Sequence, residues 1–337
     1  MSEGSPAQPT LPSTDEPRDV RVSPARDAVA AEVWEGLRTR PRTLSSKYFY
    51  DTRGSELFVE ITHLPEYYPT RTERRLLERW GGELVREHRP LALLELGAGS
   101  ARKTRVLLDA MEVRAEGGSY LPQDVSGDFL EDTARRLRVE YPHLQVTPLV
   151  GDLTHPLEPD LDVPRPAMVA LLGSTIGNFT DPQAAEILAN IREFMHEGDR
   201  FLMGADLRPS RGKSVEELEA AYNDARGVTA EFNRNILANL NRRIGTDFDP
   251  RRFEHRAFYN PDEAQIEMHL VSRGAQRVRF PERGEIPLMD GETIRTEISR
   301  KWDRGSVERL FGSAGLVLLE WFTDPHDRYA LAVGGPE

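Results

Sequence analysis

The sequence predicts an α/β fold, in which a largely parallel sheet carries helices on both of its faces. Three observations predict it. Residues 91–111 form an apolar run, a glycine-rich turn and a helical pattern, which is the repeating unit of such sheets. Similar apolar runs recur downstream and end in polar or glycine residues. Two strand patterns at residues 316–322 and 329–335, joined by a short polar segment, predict an antiparallel hairpin.

Length and composition restrict the class of protein. A chain of 337 residues suggests about two domains, and its formal net charge is −12 with no basic block, so we expect no nucleic-acid partner. The absence of cysteine excludes disulfides, thiolate metal sites and a cysteine nucleophile. No apolar run approaches the length of a membrane span, and no signal-peptide core is present. We therefore expect a soluble, cytoplasmic protein with no membrane partner.

The glycine-rich turn after the first predicted strand is compatible with three kinds of ligand site. Gly97 begins a dinucleotide or P-loop fingerprint, but Arg102 stands where both patterns require a further glycine. The third kind is the turn of S-adenosylmethionine (SAM) methyltransferases, in which an acidic residue, here Glu95, precedes Gly97 and Gly99. A lone Gly-x-Gly turn also occurs without any ligand. The turn by itself leaves these alternatives open.

Polar residues at the ends of the following strands favour the third kind of site. The second predicted strand ends at Asp124, the third at Asp152, and the fourth runs into Gly177 and Asn178. In open α/β sheets the ligand lies outside the carboxyl ends of the strands, and an acid after the second strand can accept hydrogen bonds from a ribose diol. This recurrence weighs against a P-loop NTPase and against a nicotinamide dehydrogenase.

The closing hairpin and a long insertion predict how the chain is divided. A five-strand sheet followed by a helix and an antiparallel pair is the usual layout of Rossmann-like SAM methyltransferases. The material after residue 206 is too long for a connection and carries a helical pattern at residues 214–244 and strand patterns at 264–272 and 292–301, so it predicts a second, smaller α+β domain. The expected parts are a disordered tail at 1–19, a SAM-binding domain at 72–209 and 296–337, and a substrate-binding domain at 20–71 and 210–295.

An aromatic-rich segment at residues 47–75 is expected to join the second domain. Its tyrosines are interrupted by glycine and proline, so the segment is irregular. Clustered aromatic residues in such a segment form either a packed lid or a recognition surface. A site between two domains is a favoured location for a ligand.

Seven segments of the sequence carry a resemblance to a known family. They are FYDTRGSELF, LPEYYPTRTE, ELGAGSARKTR, LLGSTIGNF, YNDARGVTAEFNRN, IEMHL and TEISRKW. They resemble the histidine Nα-methyltransferases of ergothioneine biosynthesis, and the likeness extends from about residue 47 onward. The resemblance implies a two-domain monomer that needs no metal. It also implies trimethylation of L-histidine to hercynine, with SAM as the methyl donor.

The resemblance also implies roles for particular residues. Asp124 would hold the ribose of SAM, Asp152 the adenine amine, and Tyr67 would lie near the substrate amino group. The residues implied at the SAM site, with the second glycine of the turn, are Tyr50, Gly97, Gly99, Lys103, Asp124 and Asp152. The residues implied at the substrate site are Tyr67, Asn178, Tyr222, Met268, Glu297 and Ser299, of which Asn178 and Tyr222 would hold the carboxylate.

The chemistry of methyl transfer is consistent with these residue types. The attacking amine must be neutral, and Tyr50, Tyr67 or a water between them could relay its proton; the alternative is that these tyrosines only orient the substrate. Aromatic faces also tolerate a growing cation. Glu297 and Ser299 are two apart on a predicted strand and share a face, so both can contact one imidazole, although a solvated edge strand would look similar.

Two other hypotheses remain open from the sequence. One is a methyltransferase for a different acceptor, such as tryptophan or a protein group. A bulky indole would clash with Glu297 and Met268, so a smaller residue at either position would have indicated it. The other is a non-catalytic SAM-binding module, which would be expected to lack Asn178 or Tyr222.

Overall fold

The structure, a computed structural model, describes residues 26–113, 118–158 and 161–337. The tail expected at residues 1–19 lies outside the described residues. The helices are α1 Arg26–Arg38, α2 Thr52–Ile61, α3 Tyr68–His88, α4 Arg105–Glu112, α5 Gly127–Glu140, α6 Asp181–Phe194, α7 Val215–Ala220, α8 Val228–Ile244 and α9 Arg304–Ser313. Short 3-10 helices lie at Ser46–Phe49, Thr175–Asn178 and Pro250–Arg252. The strands are β1 Arg42–Thr43, β2 Ala92–Leu96, β3 Gly118–Asp124, β4 Leu144–Val146, β5 Leu149–Val150, β6 Ala167–Leu171, β7 Arg200–Asp206, β8 Phe253–Asn260, β9 Gln265–Ser272, β10 Gln276–Phe280, β11 Gly284–Leu288, β12 Thr293–Arg300, β13 Leu316–Thr323 and β14 Tyr329–Pro336.

The larger sheet confirms the predicted parallel sheet and its antiparallel hairpin. Its strand order is β4-β3-β2-β6-β7-β14-β13, and β5 extends the β4 side by pairing with β3. The strands from β4 to β7 run parallel, whereas β14 is antiparallel to both β7 and β13. The third predicted strand is in fact the two short strands β4 and β5. Because β2 lies between β3 and β6, the chain switches sides there, and a ligand crevice opens at such a point.

The side chains of β2 explain why this strand is apolar throughout. Leu94 and Leu96 point into one hydrophobic layer, and Leu93 points into the opposite layer together with side chains of α3 and α4. All three leucines are buried. Burial of each such side chain contributes about 1.5–3 kcal/mol. A strand covered on both faces can therefore show no alternation of apolar and polar residues.

The smaller sheet supplies the predicted α+β unit. Its order is β1-β12-β9-β8, with β9 antiparallel to both of its neighbours, and β10 and β11 form a separate hairpin. Helix α8 packs against β8, β9 and α2. Phe49, Phe232 and Leu240 belong to the hydrophobic core that these elements share. The helical pattern predicted at 214–244 is two helices, because residues 221–227 interrupt it and Gly227 has a φ of +73°.

Two boundaries of the predicted division fall inside elements of the structure. Strand β12 pairs with β9 along its length, so residues on both sides of the boundary predicted at residue 296 belong to the smaller sheet. The boundary placed between residues 71 and 72 likewise cuts α3. The division into a SAM-binding and a substrate-binding domain remains a prediction.

The two sheets meet at the end of β12. Leu207, directly after β7, forms a parallel bridge with Trp302. A Cβ atom on Gly177 would lie 2.8 Å from the carbonyl oxygen of Arg300, so glycine is required for this close approach between the loop after β6 and β12. These contacts hold the ends of β6 and β7 beside the smaller sheet.

No helix within the described part of the chain is long and apolar enough to cross a membrane.

Candidate active site

A cleft of about 690 Å³ opens where the carboxyl ends of β2, β3 and β6 face β12 and the aromatic-rich N-terminal segment. Its volume lies in the range of small-molecule sites, about 300–1,000 Å³. Most of the residues predicted for the site line it. They are Tyr50, Tyr67, Gly97, Gly99, Lys103, Asp124, Asp152, Asn178 and Glu297. Tyr222, Met268 and Ser299 are not among its lining residues.

The glycine-rich turn and Asp124 form the floor of the cleft on the side of the large sheet. Gly97 and Gly99 have φ values of +70° and +53°, a conformation that favours glycine. Asp124 accepts hydrogen bonds from the backbone N–H groups of Gly99, at 2.9 Å, and Ser126, at 3.0 Å. Burial raises the pKa of the Asp124 carboxyl, although these N–H donors oppose the rise. One carboxylate thus fixes the turn and faces the cleft.

Glu95, the acid before the turn, does not line the cleft. It is buried and accepts hydrogen bonds from the hydroxyls of Thr104, at 2.6 Å, and Tyr120. Thr104 directly precedes α4, so this contact ties the start of the helix to β2 and β3. The acidic residue that suggested a SAM-type turn therefore supports the turn from behind.

Lys103 is held at the wall of the cleft by a residue that the sequence analysis missed. Its ammonium donates to the carboxylate of Glu73, which is fully buried. The same carboxylate accepts hydrogen bonds at 2.7 Å from the backbone N–H of Gly173 and from the hydroxyl of Tyr329. Glu73 precedes Leu76 and Leu77 by three and four positions on α3, so the three residues lie on one buried face of the helix. This spacing could have identified Glu73 as a buried acidic residue.

Asp152 lies beyond β5 with a local hydrogen-bond pattern. Its Oδ1 accepts hydrogen bonds from the backbone N–H of Thr154, at 3.0 Å, and from the hydroxyl of Thr154, at 2.7 Å. This Asx-type turn orients the carboxylate at the edge of the cleft.

Aromatic side chains form the opposite wall. The ring of Tyr50 contacts Phe58 and Phe232 edge-on, and the ring of Tyr67 contacts Phe58 and Tyr222 in the same way. Burial raises the pKa of the Tyr50 and Tyr67 phenols well above the ordinary value, with nearby Glu297 and neighbouring tyrosines adding to the rise. Both side chains are therefore neutral phenols near pH 7, and neither can act as a preformed phenolate base.

Glu297 is a carboxylate without a hydrogen-bond partner among the described residues. It lies on β12, lines the cleft, and faces the aromatic wall. Burial raises its pKa to about 7, although the ammonium of Lys301 opposes the rise. Glu297 is half-buried, and a partly desolvated carboxylate is costly unless something binds to it. It is thus available to accept a hydrogen bond from a ligand, and it titrates near physiological pH.

A buried polar network lies behind Glu297 and includes two predicted substrate residues. The hydroxyl of Tyr222 donates to Ser299 Oγ at 2.8 Å, and the ammonium of Lys301 contacts both groups, at 3.0 and 2.8 Å. Lys301 also pairs with Asp206, at 2.8 Å. Lys301 is not among the residues predicted for the site, although Glu297, Ser299 and Lys301 alternate at the spacing of one strand face.

Met268 lies in the core of the smaller sheet. It is 1% exposed and is the cross-strand partner of Glu297. Cross-strand partners have neighbouring side chains, so Met268 lies beside Glu297 without reaching the surface of the cleft.

One group of possible metal ligands occurs among the described residues, away from the cleft. It consists of Glu87, His88 and Glu320, and the ring of His88 contacts the Glu320 carboxylate at 2.6 Å. None of the three lines the cleft.

The fold and the cleft together define a SAM-dependent methyltransferase. The parallel sheet ends in an antiparallel hairpin, and the cleft lies at the point where the chain switches sides. At that place the large sheet contributes the ammonium of Lys103, the carboxylates of Asp124 and Asp152, and a glycine turn.

Comparisons with known proteins specify the family. Residues 29–334 match the family described as histidine-specific, SAM-dependent methyltransferases. The sequence is 40% identical to histidine N-alpha-methyltransferase from Mycolicibacterium smegmatis over 92% of this chain and 95% of the relative. It is also 40% identical to the enzyme of that name from Mycobacterium tuberculosis, over 91% and 94%. Ergothioneine biosynthesis protein 1 from Neurospora crassa is 30% identical over 83% of this chain and 32% of the relative.

The chain belongs to the histidine-specific, SAM-dependent methyltransferase family. The predicted family, fold class and enzyme class are thereby confirmed.

Proposed function

We propose that the protein transfers methyl groups from SAM to the α-amino nitrogen of L-histidine and forms hercynine, the first step of ergothioneine biosynthesis. The observation that carries the proposal is Glu297, a carboxylate that faces the cleft opposite Asp124 and has no hydrogen-bond partner among the described residues. An imidazole N–H is a donor that suits it. The names of the relatives from mycobacteria and Neurospora support the same reaction and pathway.

The cleft residues of the large sheet are proposed to hold SAM. Asp124 would accept hydrogen bonds from the ribose hydroxyls, and Asp152 would accept one from the adenine amine. Lys103 would face the carboxylate of SAM, since its ammonium lies at the cleft wall beside Gly173. Gly97 and Gly99 allow the backbone to approach the ligand, and Tyr50 lies at the junction with the substrate.

The remaining residues are proposed to hold histidine. Asn178, on the loop after β6, would bind the substrate carboxylate together with Tyr222, and Tyr67 would lie near the amino group. Glu297 and Ser299 would contact the imidazole, and Met268 would support them from the adjacent strand. Tyr222 and Ser299 are only 7% and 4% exposed and do not line the cleft, so a ligand would reach them beyond Glu297, which shares a strand face with Ser299.

The chain contributes mainly position and a dry, polar environment. Bound SAM supplies an electrophilic methyl group on its sulfonium. The amine of the substrate must be neutral to attack. Because Tyr50 and Tyr67 are neutral phenols, either can accept the proton of the amine only while it donates its own hydroxyl proton to another acceptor. We propose that they orient the amine and pass its proton through such a relay to solvent water at the mouth of the cleft. Their faces also suit the methylated cation that forms.

The proposal is tested by mass spectrometry of a reaction with purified protein, SAM and a mixture of the twenty amino acids. Mono-, di- and trimethylated histidine are expected as the only new products. Methylation of a different amino acid would agree with the proposed SAM site and overturn the proposed role of Glu297 in the choice of substrate. Absence of every product, with SAM still bound in calorimetry, would overturn the catalytic proposal. An Asp124→Asn variant, expected to bind SAM poorly, serves as the control for contaminating enzymes.

The wider setting is part of the same proposal. We expect the enzyme to act as a monomer in the cytoplasm, without a metal, a nucleic-acid partner or a membrane partner. Full activity after exhaustive treatment with EDTA would agree with the metal-free reaction, and loss of activity that returns with added metal would contradict it.

A further inference from the structure

The buried Lys301 ammonium has three hydrogens and three acceptors. It contacts Asp206 Oδ2 at 2.8 Å, Ser299 Oγ at 2.8 Å and the hydroxyl oxygen of Tyr222 at 3.0 Å. Its side chain is inaccessible to solvent. An ammonium can only donate, so these contacts use all of its hydrogens and leave it no freedom to exchange partners.

The hydrogen bonds that Lys301 donates to Tyr222 and Ser299 determine which hydroxyl hydrogen remains available for a further hydrogen bond. The hydroxyl of Tyr222 donates to Ser299 Oγ at 2.8 Å, so Ser299 Oγ accepts from both Tyr222 and Lys301. Both lone pairs of that oxygen are then in use, and its own hydrogen remains. If Ser299 donated to Tyr222 instead, the hydrogen of Tyr222 would remain. In either case the pair retains one O–H, for which the described residues provide no acceptor.

We propose that Lys301 is a positioning residue that makes the Tyr222–Ser299 pair a donor toward the ligand, so that the substrate side chain must offer a bare nitrogen there. The inference rests on the proposed function, adds a specificity determinant to it and revises the role of Tyr222 there, because a Tyr222 hydroxyl that donates to Ser299 has no hydrogen left for the substrate carboxylate. A neutral imidazole satisfies both requirements, because its N–H donates to Glu297 and its bare nitrogen accepts from the hydroxyl pair. A ring that offers an N–H but no acceptor leaves a buried donor unpaired.

Lys213 provides a matched control for the charge of Lys301. Its side chain is equally inaccessible and contacts the other oxygen of the same carboxylate, Asp206 Oδ1, at 2.6 Å. Its remaining hydrogen bonds go to backbone carbonyls and its ammonium lies over the ring of Tyr68, but it has no hydrogen bond to Tyr222 or Ser299. Replacing either lysine removes one positive charge from Asp206, but only replacement of Lys301 releases the two hydroxyls.

The test compares kcat/KM for histidine with kcat/KM for 3-(pyrrol-2-yl)alanine and 3-(pyrrol-3-yl)alanine, each of which keeps an N–H and replaces the bare nitrogen by C–H. The wild type is expected to prefer histidine by at least about 100-fold, since a site built to form a hydrogen bond rejects an analogue that lacks it. In Lys301→Met this preference should fall at least about tenfold. In Lys301→Gln, whose amide can donate to both hydroxyls, it should partly return. In Lys213→Met it should be unchanged.

Several outcomes would overturn the inference. A preference for histidine as strong in Lys301→Met as in the wild type would overturn it. An equal loss of this preference in Lys301→Met and Lys213→Met would also overturn it, because it would show that Lys301 acts only through its charge beside Asp206. If Lys301→Met does not fold, the double variant Tyr222→Phe with Ser299→Ala decides, because it removes both hydroxyls and keeps the contact between Lys301 and Asp206; retained preference in that variant overturns the inference. A wild type that methylates no histidine overturns the proposed function itself, and this result is distinct from the others.

Discussion

The ammonium of Lys103, at the wall of the cleft, is bound by the carboxylate of Glu73, which is fully buried on α3. This ion pair connects the turn after β2 to the helix that precedes the sheet. Glu73 also binds the backbone of Gly173 and the hydroxyl of Tyr329, so a single side chain links the loops after β2 and β6 to β14. Both of those loops line the cleft.

Replacing Glu73 by glutamine is expected to weaken SAM binding at least about tenfold, since a hydrogen bond to a charged group is worth about 1.5–3 kcal/mol. The glutamine amide nitrogen must face either the ammonium of Lys103 or the two donors on the other carboxylate oxygen, Gly173 N–H and the Tyr329 hydroxyl. In either position a hydrogen-bond donor faces another donor, and one contact is lost. Calorimetric titration with SAM measures the effect. Tyr329→Phe is the control, because it removes a donor from the same carboxylate and leaves Lys103 in place. Equal losses in both variants would contradict a specific role for the Lys103 contact.

Glu297→Gln is expected to stabilise the free protein at alkaline pH. The folded-state pKa of Glu297, about 7, lies above the ordinary value of 4.5. The stability associated with the protonated form is therefore complete below about pH 4.5 and is lost as pH rises through 7. Denaturant unfolding should show a difference between variant and wild type that grows to the order of 3 kcal/mol above pH 7. A difference that does not change with pH would contradict the raised pKa.

The same group should appear in the kinetics. The ionised Glu297 carboxylate is a stronger hydrogen-bond acceptor than its protonated form, so kcat/KM for histidine should rise through an inflection near pH 7 that Glu297→Gln lacks. Glu297→Ala should lower kcat/KM for histidine by more than about tenfold. Initial rates at low histidine over pH 5.5–9 (about seven values) measure both effects. Unchanged kinetics in the alanine variant would remove Glu297 from the substrate site.

Met268→Ala distinguishes packing from substrate contact. Loss of a buried methionine side chain should lower the free energy of unfolding by about 2–5 kcal/mol. Leu270→Ala, on the same face of β9 and equally buried, is the matched control. If Met268 supports the imidazole, KM for histidine should rise more in Met268→Ala than in Leu270→Ala. Equal values of KM would assign Met268 to the core alone.

Gly177→Ala should disturb the loop that carries Asn178. The added Cβ would lie 2.8 Å from the carbonyl oxygen of Arg300, so the loop must move away from β12. We expect kcat/KM for histidine to fall at least about tenfold, because small misplacements of binding groups are costly. Gly82→Ala on α3 meets nothing within 4 Å and should stabilise the helix by about 0.5–1 kcal/mol without changing the kinetics. Wild-type values of kcat/KM in Gly177→Ala would show that the close contact between Gly177 and Arg300 is not needed for activity.

The sequence was informative about local features and less so about pairing over long distances. Strand β2 and the hairpin of β13 and β14 follow from apolar runs and their spacing, and the resemblance identified the lining residues Asp124, Asn178 and Glu297. Glu73 and Tyr329 are 256 positions apart, and Tyr222 and Lys301 are 79 apart. Such contacts depend on the packing of whole elements, which no local pattern reports.

The same reason explains why the boundary predicted at residue 296 falls inside β12. The alternation in β12 correctly predicted a strand, but it does not show which sheet the strand joins. That choice depends on its partner β9, which lies more than twenty residues earlier in the chain. The interruption of the helical pattern at residues 221–227 is different, because the sequence itself shows Gly227 there. This glycine has a left-handed backbone and directly precedes α8.

The position of β14 has a consequence for synthesis on the ribosome. Residues 329–336 lie between β7 and β13, and almost all of their side chains are buried. Strand β7 therefore emerges more than one hundred residues before the strand that covers its edge. During that interval a nascent chain exposes an apolar strand edge, the kind of surface that chaperones recognise and that aggregates when unprotected. Completion of the large sheet must await the translation of β14.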